Sequence, residues 1–165
     1  MPDIKIELKK TYLAMIRNTA KGDVRIFRNL FATVDGQERD LLEDGKVSCA
    51  VFVSSLLYLL NSSLEYSGAE RWIRYTHATV GSTEKDLQEN GWVKITEPRE
   101  GAILSWEPIL FSDGNRHGHI GFFIGNDRAI SNASNGDGVP REHHWTYDGT
   151  RNVERIWWHP ALDEE

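Results

Sequence analysis

The sequence predicts an α+β domain in which helices come first and an antiparallel β-sheet follows. Apolar residues recur at helical spacing between Ile4 and Ala20, and a second apolar run follows Cys49. From Trp92 onward, short apolar runs are separated by turn residues such as Asp113-Gly114-Asn115. Helices that precede a meandering set of strands are typical of the α+β class.

Length and composition indicate a single globular domain. The chain has 165 residues, of which 39% are hydrophobic and 27% are charged, and a chain of this kind can bury a core of its own. We therefore expect one domain over 1–165. Within it we expect a helical N-terminal part over 1–44 and a core region over 45–134.

Charge and hydropathy bear on the partners and the location of the protein. A net charge of −6 argues against a general affinity for nucleic acid. The N-terminus alternates charged and apolar residues, which is not typical of a signal peptide, and no membrane-spanning segment is predicted. We expect a protein that is cytoplasmic, or is released or exported without a conventional signal peptide, and that binds neither nucleic acid nor membrane.

Two helices are predicted before the cysteine. The first covers Ile4 to Ala20, and a shorter one covers Val24 to Val34, where three apolar residues have helical spacing. The segment from Asp35 to Lys46 is polar and contains glycine, so we expect a loop that leads to the next helix.

The segment from Asp44 to Asn61, DGKVSCAVFVSSLLYLLN, contains the only cysteine, Cys49. Its apolar residues lie on nearly every face of a helix, which predicts a buried helix, and the run is shorter than a bilayer requires. Ser48 is the expected N-cap, which places Cys49 in the first turn, where backbone N–H groups favour a thiolate. The alternative is that Cys49 is a small buried apolar residue.

A fourth helix and six strands are predicted after this segment. Thr83 and Asp86 resemble a capping box, and Gly91 is typical of a helix C-terminus. The predicted strands are Trp92–Thr96, Ala102–Trp106, the run HGHIGFFIG that ends at Gly125, Arg128–Ala133, Arg141–Tyr147 and Val153–Trp158. The residues Asn126-Asp127 are expected to form the turn between the third and fourth of these strands.

His119 is the best candidate for a base that could act on the thiol. Catalysis by a thiol needs a base, a group that orients the base, and donors for the oxyanion. His119 begins an apolar strand directly after Gly118, and an imidazole there can reach the end of a helix packed on the sheet. The alternative is a solvated histidine at a strand end.

The strand block from His119 to Ser134, HIGFFIGNDRAISNAS, follows GAILSW at Gly101–Trp106 and a cysteine at the head of an apolar helix. In these features the chain resembles the NlpC/P60 and CHAP cysteine hydrolases, over roughly Gly45 to Ser134. The resemblance implies a papain-like core, in which a helix that carries the cysteine packs on a sheet that carries the histidine and a third polar residue. Where that family often has Asp-Cys-Ser-Gly, this chain has Ser48-Cys49-Ala50-Val51.

The resemblance also implies an activity and its main residues. It implies a cysteine peptidase or amidase that hydrolyses amide bonds, most typically in peptidoglycan peptides, with Cys49 as the nucleophile and His119 as the base. The cysteine precedes the histidine, which favours hydrolysis over the lipid acyl transfer of permuted relatives. We expect a peptide or a peptidoglycan fragment as substrate, and no cofactor or metal.

The resemblance leaves two candidates for the third catalytic residue, Ser131 and Asn132. Aligning the hairpin without a gap places Ser131 there, whereas matching the Ala-Ser that follows places Asn132 there. We prefer Asn132, because its amide oxygen can accept a hydrogen bond from the imidazole. Ser48, Trp106 and His143 are the residues that we expect to contact the substrate.

Two other functions remain open from the sequence. His117, His119, His143 and His144 could form a zinc site with Cys49, although no HExxH pattern accompanies them. A non-catalytic binding module or a toxin-related module on the same fold is the other possibility.

Overall fold

The computed structural model describes residues 4–132 and 137–163, which form an α+β fold as the sequence predicts. The described α-helices are α1 (Leu8–Thr19), α2 (Cys49–Tyr66) and α3 (Val80–Glu89). The described strands are β1 (Phe31–Val34), β2 (Gln37–Asp40), β3 (Val93–Ile95), β4 (Ile103–Leu110), β5 (Arg116–Gly125), β6 (Arg128–Asn132), β7 (Pro140–His144) and β8 (Val153–Trp158), and a 3-10 helix spans Pro160–Asp163. Strands β1 and β2 form a separate hairpin, and the other six form an antiparallel sheet in the order β3-β8-β4-β5-β6-β7.

Helices α1 and α2 pack on one face of this sheet. The rings of Tyr12 and Phe52 both meet Phe122 of β5 edge to face, with centroids 6.0 and 5.5 Å away. All three rings are buried, so they contribute both apolar burial and favourable aromatic geometry. The hydroxyl of Tyr12 donates to the carbonyl of Gly101 at 2.9 Å, which fixes α1 to the loop before β4.

Helix α2 is longer than the apolar run on which it was predicted. It continues past Asn61 to Tyr66 and has 18 residues with a mean hydropathy of 1.2. By length and composition alone α2 could cross a membrane, so the expectation that the run is too short is wrong. However, 56% of the helix is buried by the rest of the protein, as in a core helix.

The expected helical N-terminal part over 1–44 is wrong in its second half. Instead of a helix over Val24–Val34, β1 pairs with β2 across Asp35-Gly36. Both turn residues have positive φ, 52° and 78°, which is the type I′ geometry that an Asp-Gly pair favours. This turn also replaces part of the loop expected over 35–46.

The predicted capping box of α3 is wrong. The N-cap is Thr79, whose side chain accepts from the backbone N–H of Ser82, and Thr83 lies inside the helix. The Asp86 carboxylate instead accepts from the backbone N–H groups of the segment before α3, at Arg74 and Tyr75. This contact holds the chain that leads into α3, whose start borders the site described below. Gly91, with a φ of 88°, follows the C-cap as predicted.

Candidate active site

Cys49 begins α2 and lies against β5. Ser48 occupies the predicted N-cap position, but its hydroxyl donates to the carbonyl of Gly45 at 2.7 Å and does not cap the helix. Cys49 is buried, with 8% of the residue exposed. The backbone N–H groups of Ile120 and Ala50 act on its sulfur and oppose the effect of burial on the pKa of the thiol.

Cys49 and His119 border one groove of about 270 Å³. Three parts of the chain meet there, namely the start of α2 with its lead-in, the residues 78–81 at the start of α3, and the residues 116–119 at the start of β5. Among the described residues the thiol and the imidazole form no hydrogen bond with each other. Hydrogen bonds between catalytic residues often form only in the complex with the substrate.

The His119 ring is buried and held by one hydrogen bond. It is 2% exposed, and its Nε2 lies 2.8 Å from the hydroxyl oxygen of Ser131. Its Nδ1 forms no hydrogen bond with any described residue. The ring therefore has one nitrogen fixed by the protein and one nitrogen available for a proton.

The expected hydrogen bond between Asn132 and His119 is wrong, and Ser131 is the partner. Consecutive strand residues face opposite sides of the sheet, so only one of these two can share a face with His119. Asn132 faces away from the His119 ring, and its Nδ2 donates to the hydroxyl of Ser48. Its buried Oδ1 has no partner among the described residues. The Ala-Ser that led us to Asn132 lies outside the described residues.

Gly121 allows Ser131 to approach the ring. Phe122 pairs with Ile130, and one further step of that register sets Gly121 beside Ser131. A Cβ added to Gly121 would lie 2.7 Å from Cβ of Ser131 and 2.6 Å from the carbonyl oxygen of Ile130. Any larger residue would thus push β6 away from β5.

The Ser131 hydroxyl also contacts two side chains from farther along the chain. Its oxygen lies 2.8 Å from Nε2 of His143 and 3.2 Å from the hydroxyl of Tyr147. The His143 ring is stacked on Tyr147 with centroids 4.1 Å apart, and its Nδ1 lies 2.9 Å from the carbonyl oxygen of His144. His143 is therefore linked to the candidate base through Ser131 and is not among the residues that border the groove, so its expected contact with the substrate stays a prediction.

Ser48 and Trp106 do not border the groove either. Ser48 is 1% exposed and joins Gly45 to Asn132. Trp106 is 1% exposed, its Nε1 donates to the carbonyl of Trp145, and its ring centroid lies 5.2 Å from that of His119. This geometry gives no support to the expected substrate contacts of either residue, which stay predictions, and the Trp106 ring packs against the His119 ring.

Arg151 is a buried cation that the sequence analysis missed. It is 6% exposed, and it donates to the backbone carbonyls of Glu107 and His117, each at 3.0 Å. No carboxylate of the described residues forms an ion pair with it. Its positive charge therefore acts on the neighbouring Cys49 and His119 and lowers the pKa of both.

Burial decides the resting protonation of the two residues. Burial raises the pKa of Cys49, although the N–H groups of Ile120 and Ala50 and the charge of Arg151 act in the opposite direction. Burial, followed by Arg151 and His143, holds the pKa of His119 well below its ordinary value near 6.5. At neutral pH the site thus contains a thiol and a neutral imidazole, so the helix start does not by itself produce the expected thiolate.

The histidines of the zinc alternative do not converge. His117 binds Asp113 at 2.8 Å, and Nδ1 of His144 accepts from the backbone N–H of Thr146. Within residues 4–132 and 137–163, no three His, Cys, Asp or Glu side chains form a group that could hold a metal ion. The geometry gives this alternative no support.

Comparison with known proteins adds no assignment, since no protein-family model matches the chain and no curated protein matches it.

Proposed function

We propose that this protein is a cysteine hydrolase with a papain-like core of the NlpC/P60 kind, which cleaves amide bonds with Cys49 as nucleophile and His119 as base. One observation carries the proposal. The buried imidazole is held at Nε2 by Ser131, its Nδ1 is unbonded among the described residues, and the thiol borders the same groove. A nucleophile, a base and an orienting group are the parts that thiol catalysis requires.

The first half of the reaction forms an acyl-enzyme. Nδ1 of His119 accepts the thiol proton while the sulfur of Cys49 attacks the amide carbon, and the backbone N–H of Cys49 donates to the developing oxyanion. That N–H belongs to the first turn of α2, where backbone donors have no partner within the helix. The imidazolium then gives its proton to the leaving amine, the C–N bond breaks, and a thioester remains.

The second half hydrolyses the thioester. His119, neutral again, takes a proton from a water molecule that attacks the acyl carbon, and the C–S bond breaks. The proton on His119 returns to the Cys49 sulfur, so one water is consumed for each amide bond cleaved. The low pKa of the buried imidazole favours its release of a proton in both halves and disfavours the preceding uptake of that proton.

The charge of the groove favours an anionic substrate. Lys46 and Arg116 border the groove, and no Asp or Glu is among its described lining residues, although the whole chain has 25 acidic and 19 basic residues. Fixed positive charge beside a cleft attracts and orients carboxylates. Peptidoglycan stem peptides carry free carboxylates beside their amide bonds and are the substrate class that we propose.

Inhibition of the hydrolysis of purified peptidoglycan tests this function. We expect iodoacetamide to abolish the release of fragments, with the carboxamidomethyl group found on Cys49 by mass spectrometry, and EDTA to leave the release intact. Loss of activity in EDTA that zinc restores would favour a metal hydrolase instead. Binding of fragments without any cleavage would favour a non-catalytic module.

A further inference from the structure

We infer that His143 is a positioning residue, which acts through the Ser131 hydroxyl to hold His119 in the tautomer whose Nδ1 is a base. The inference rests on the proposed function, because it concerns the base of that reaction. It extends the expected pair of base and orienting residue to a chain of hydrogen bonds. This chain, here called the relay, runs from His119 through Ser131 to His143 and ends at a backbone carbonyl.

The relay has a fixed direction because it ends at a group that only accepts. The partner of Nδ1 of His143 is the carbonyl oxygen of His144, 2.9 Å away, so Nδ1 must carry a proton and donate. A neutral His143 then has no proton on Nε2. Burial, together with the nearby charges of Arg128 and Arg151, lowers the pKa of His143 and thus favours this neutral form.

The next two bonds follow from the single proton of a hydroxyl group. The bare Nε2 of His143 can only accept, so Ser131 donates its one proton to it across 2.8 Å. The oxygen of Ser131 must then accept from Nε2 of His119, and it can also accept from the hydroxyl of Tyr147. The proton of the neutral His119 ring is therefore on Nε2, and its Nδ1 has a free lone pair.

The opposite tautomer could not perform the proposed reaction. A Ser131 that donated to Nε2 of His119 would place the ring proton on Nδ1, and that nitrogen could not then accept the thiol proton. Packing keeps His143 in place for its task, since its ring is stacked on Tyr147 at an interplanar angle of 17° and contacts Trp106 at a centroid distance of 5.6 Å.

The tautomer of His119 can be measured directly by long-range ¹H–¹⁵N correlation in protein labelled at histidine. We expect the Nε2–H form in the wild type and a marked gain of the Nδ1–H form in His143→Phe, which keeps a ring against Tyr147 but has no acceptor. We expect His143→Gln, whose side-chain oxygen can accept from Ser131, to restore part of the Nε2–H form. Tyr147→Phe is the matched control and should keep the wild-type tautomer, because that hydroxyl does not set the direction of the relay.

Turnover gives the second readout. We expect His143→Phe to lower kcat by about tenfold or more with little change in KM, and His143→Gln to recover part of the loss. An Nδ1–H tautomer in the wild type would overturn the inference, as would an unchanged tautomer in a folded His143→Phe variant. The wild-type spectrum alone decides the direction of the relay if the variants do not fold. Since the spectra need no substrate, a wild type that hydrolyses nothing would defeat the proposed function and leave the tautomer result to decide the inference.

Discussion

Nε2 of His119 and the hydroxyl oxygen of Ser131 lie 2.8 Å apart on a face of the sheet that Asn132 does not share. Antiparallel pairing of β5 and β6 brings the two residues together, and the missing side chain of Gly121 gives Ser131 its place. The relationship determines which variants should impair chemistry and which should impair only folding.

Ser131→Ala should lower turnover far more than Asn132→Ala does. Without the hydroxyl, the buried Nε2 of His119 loses its hydrogen-bond partner, and the ring loses its preferred tautomer. We therefore expect kcat to fall by about tenfold or more. Asn132→Ala removes the contact with Ser48 at the start of α2 and should act mainly on stability. Steady-state kinetics and denaturant midpoints of both variants separate the two effects. A normal kcat in folded Ser131→Ala would refute the assignment.

Gly121→Ala should destabilise the protein by about 1–3 kcal/mol, because the added Cβ meets backbone and side-chain atoms of β6. It should also reduce turnover, since Ser131 has to move. Gly81→Ala in α3 is the matched stability control, because a Cβ there meets nothing within 4 Å and its φ is not positive. Urea unfolding of the two variants checks the prediction, and equal free energies of unfolding would count against the close approach of β5 and β6.

Stability should fall as the pH is lowered from 7.5 to 5.5. The pKa of His119 in the folded protein is well below 6.5, so the unfolded chain binds more protons in this range and the free energy of unfolding decreases with falling pH. His143 and His159 have lowered pKa values as well and act in the same direction.

Carboxylates such as Asp113 contribute little to that change. The backbone N–H of Asn115 and the His117 ring lower the pKa of Asp113 to about 2, so the stability that it contributes is lost only at much lower pH. Denaturant titrations at several pH values measure the slope, and His119→Gln should flatten part of it. Stability that rises as the pH falls to 5.5 would contradict the buried, neutral state of the imidazole.

Removing positive charge from the groove should weaken the binding of acidic substrates. We expect Lys46→Ala and Arg116→Ala each to raise KM for a carboxylate-bearing peptide by up to about fivefold, because exposed charges contribute up to about 1 kcal/mol. The effect should shrink at high salt. Lys10→Ala on α1, away from the groove, is the matched control. The same change in KM for a neutral peptide amide would rule out charge recognition.

The class of the fold and the ends of most strands could be predicted from the sequence, because turn residues and apolar runs are local signals. Asn126-Asp127 is a turn with positive φ at both residues, as predicted. The hairpin of β1 and β2 was missed because the apolar residues from Phe27 to Phe31 imitate helical spacing. The Asp35-Gly36 pair was the available signal for a type I′ turn.

The sequence located Cys49 and His119, which border one groove, but not the residues that support them. The two-residue turn alone pairs Gly125 with Arg128, and that register, continued along the strands, would place Asn132 on the face of His119. A register shift between Phe123 and Gly125 places Ser131 there instead, and no local pattern in the sequence predicts that shift. The positions of His143 and Arg151 depend on how β7 and the chain before β8 meet the rest of the sheet, and no local pattern encodes that arrangement.

Digestion of purified peptidoglycan by the wild type and by Cys49→Ala, followed by mass spectrometry of the products, tests the central claim most directly. We predict that the wild type releases fragments that have gained one water across an amide bond and carry a new amine terminus, and that a folded Cys49→Ala variant releases none. Release of the same fragments by Cys49→Ala at the wild-type rate would contradict the claim that Cys49 is the nucleophile.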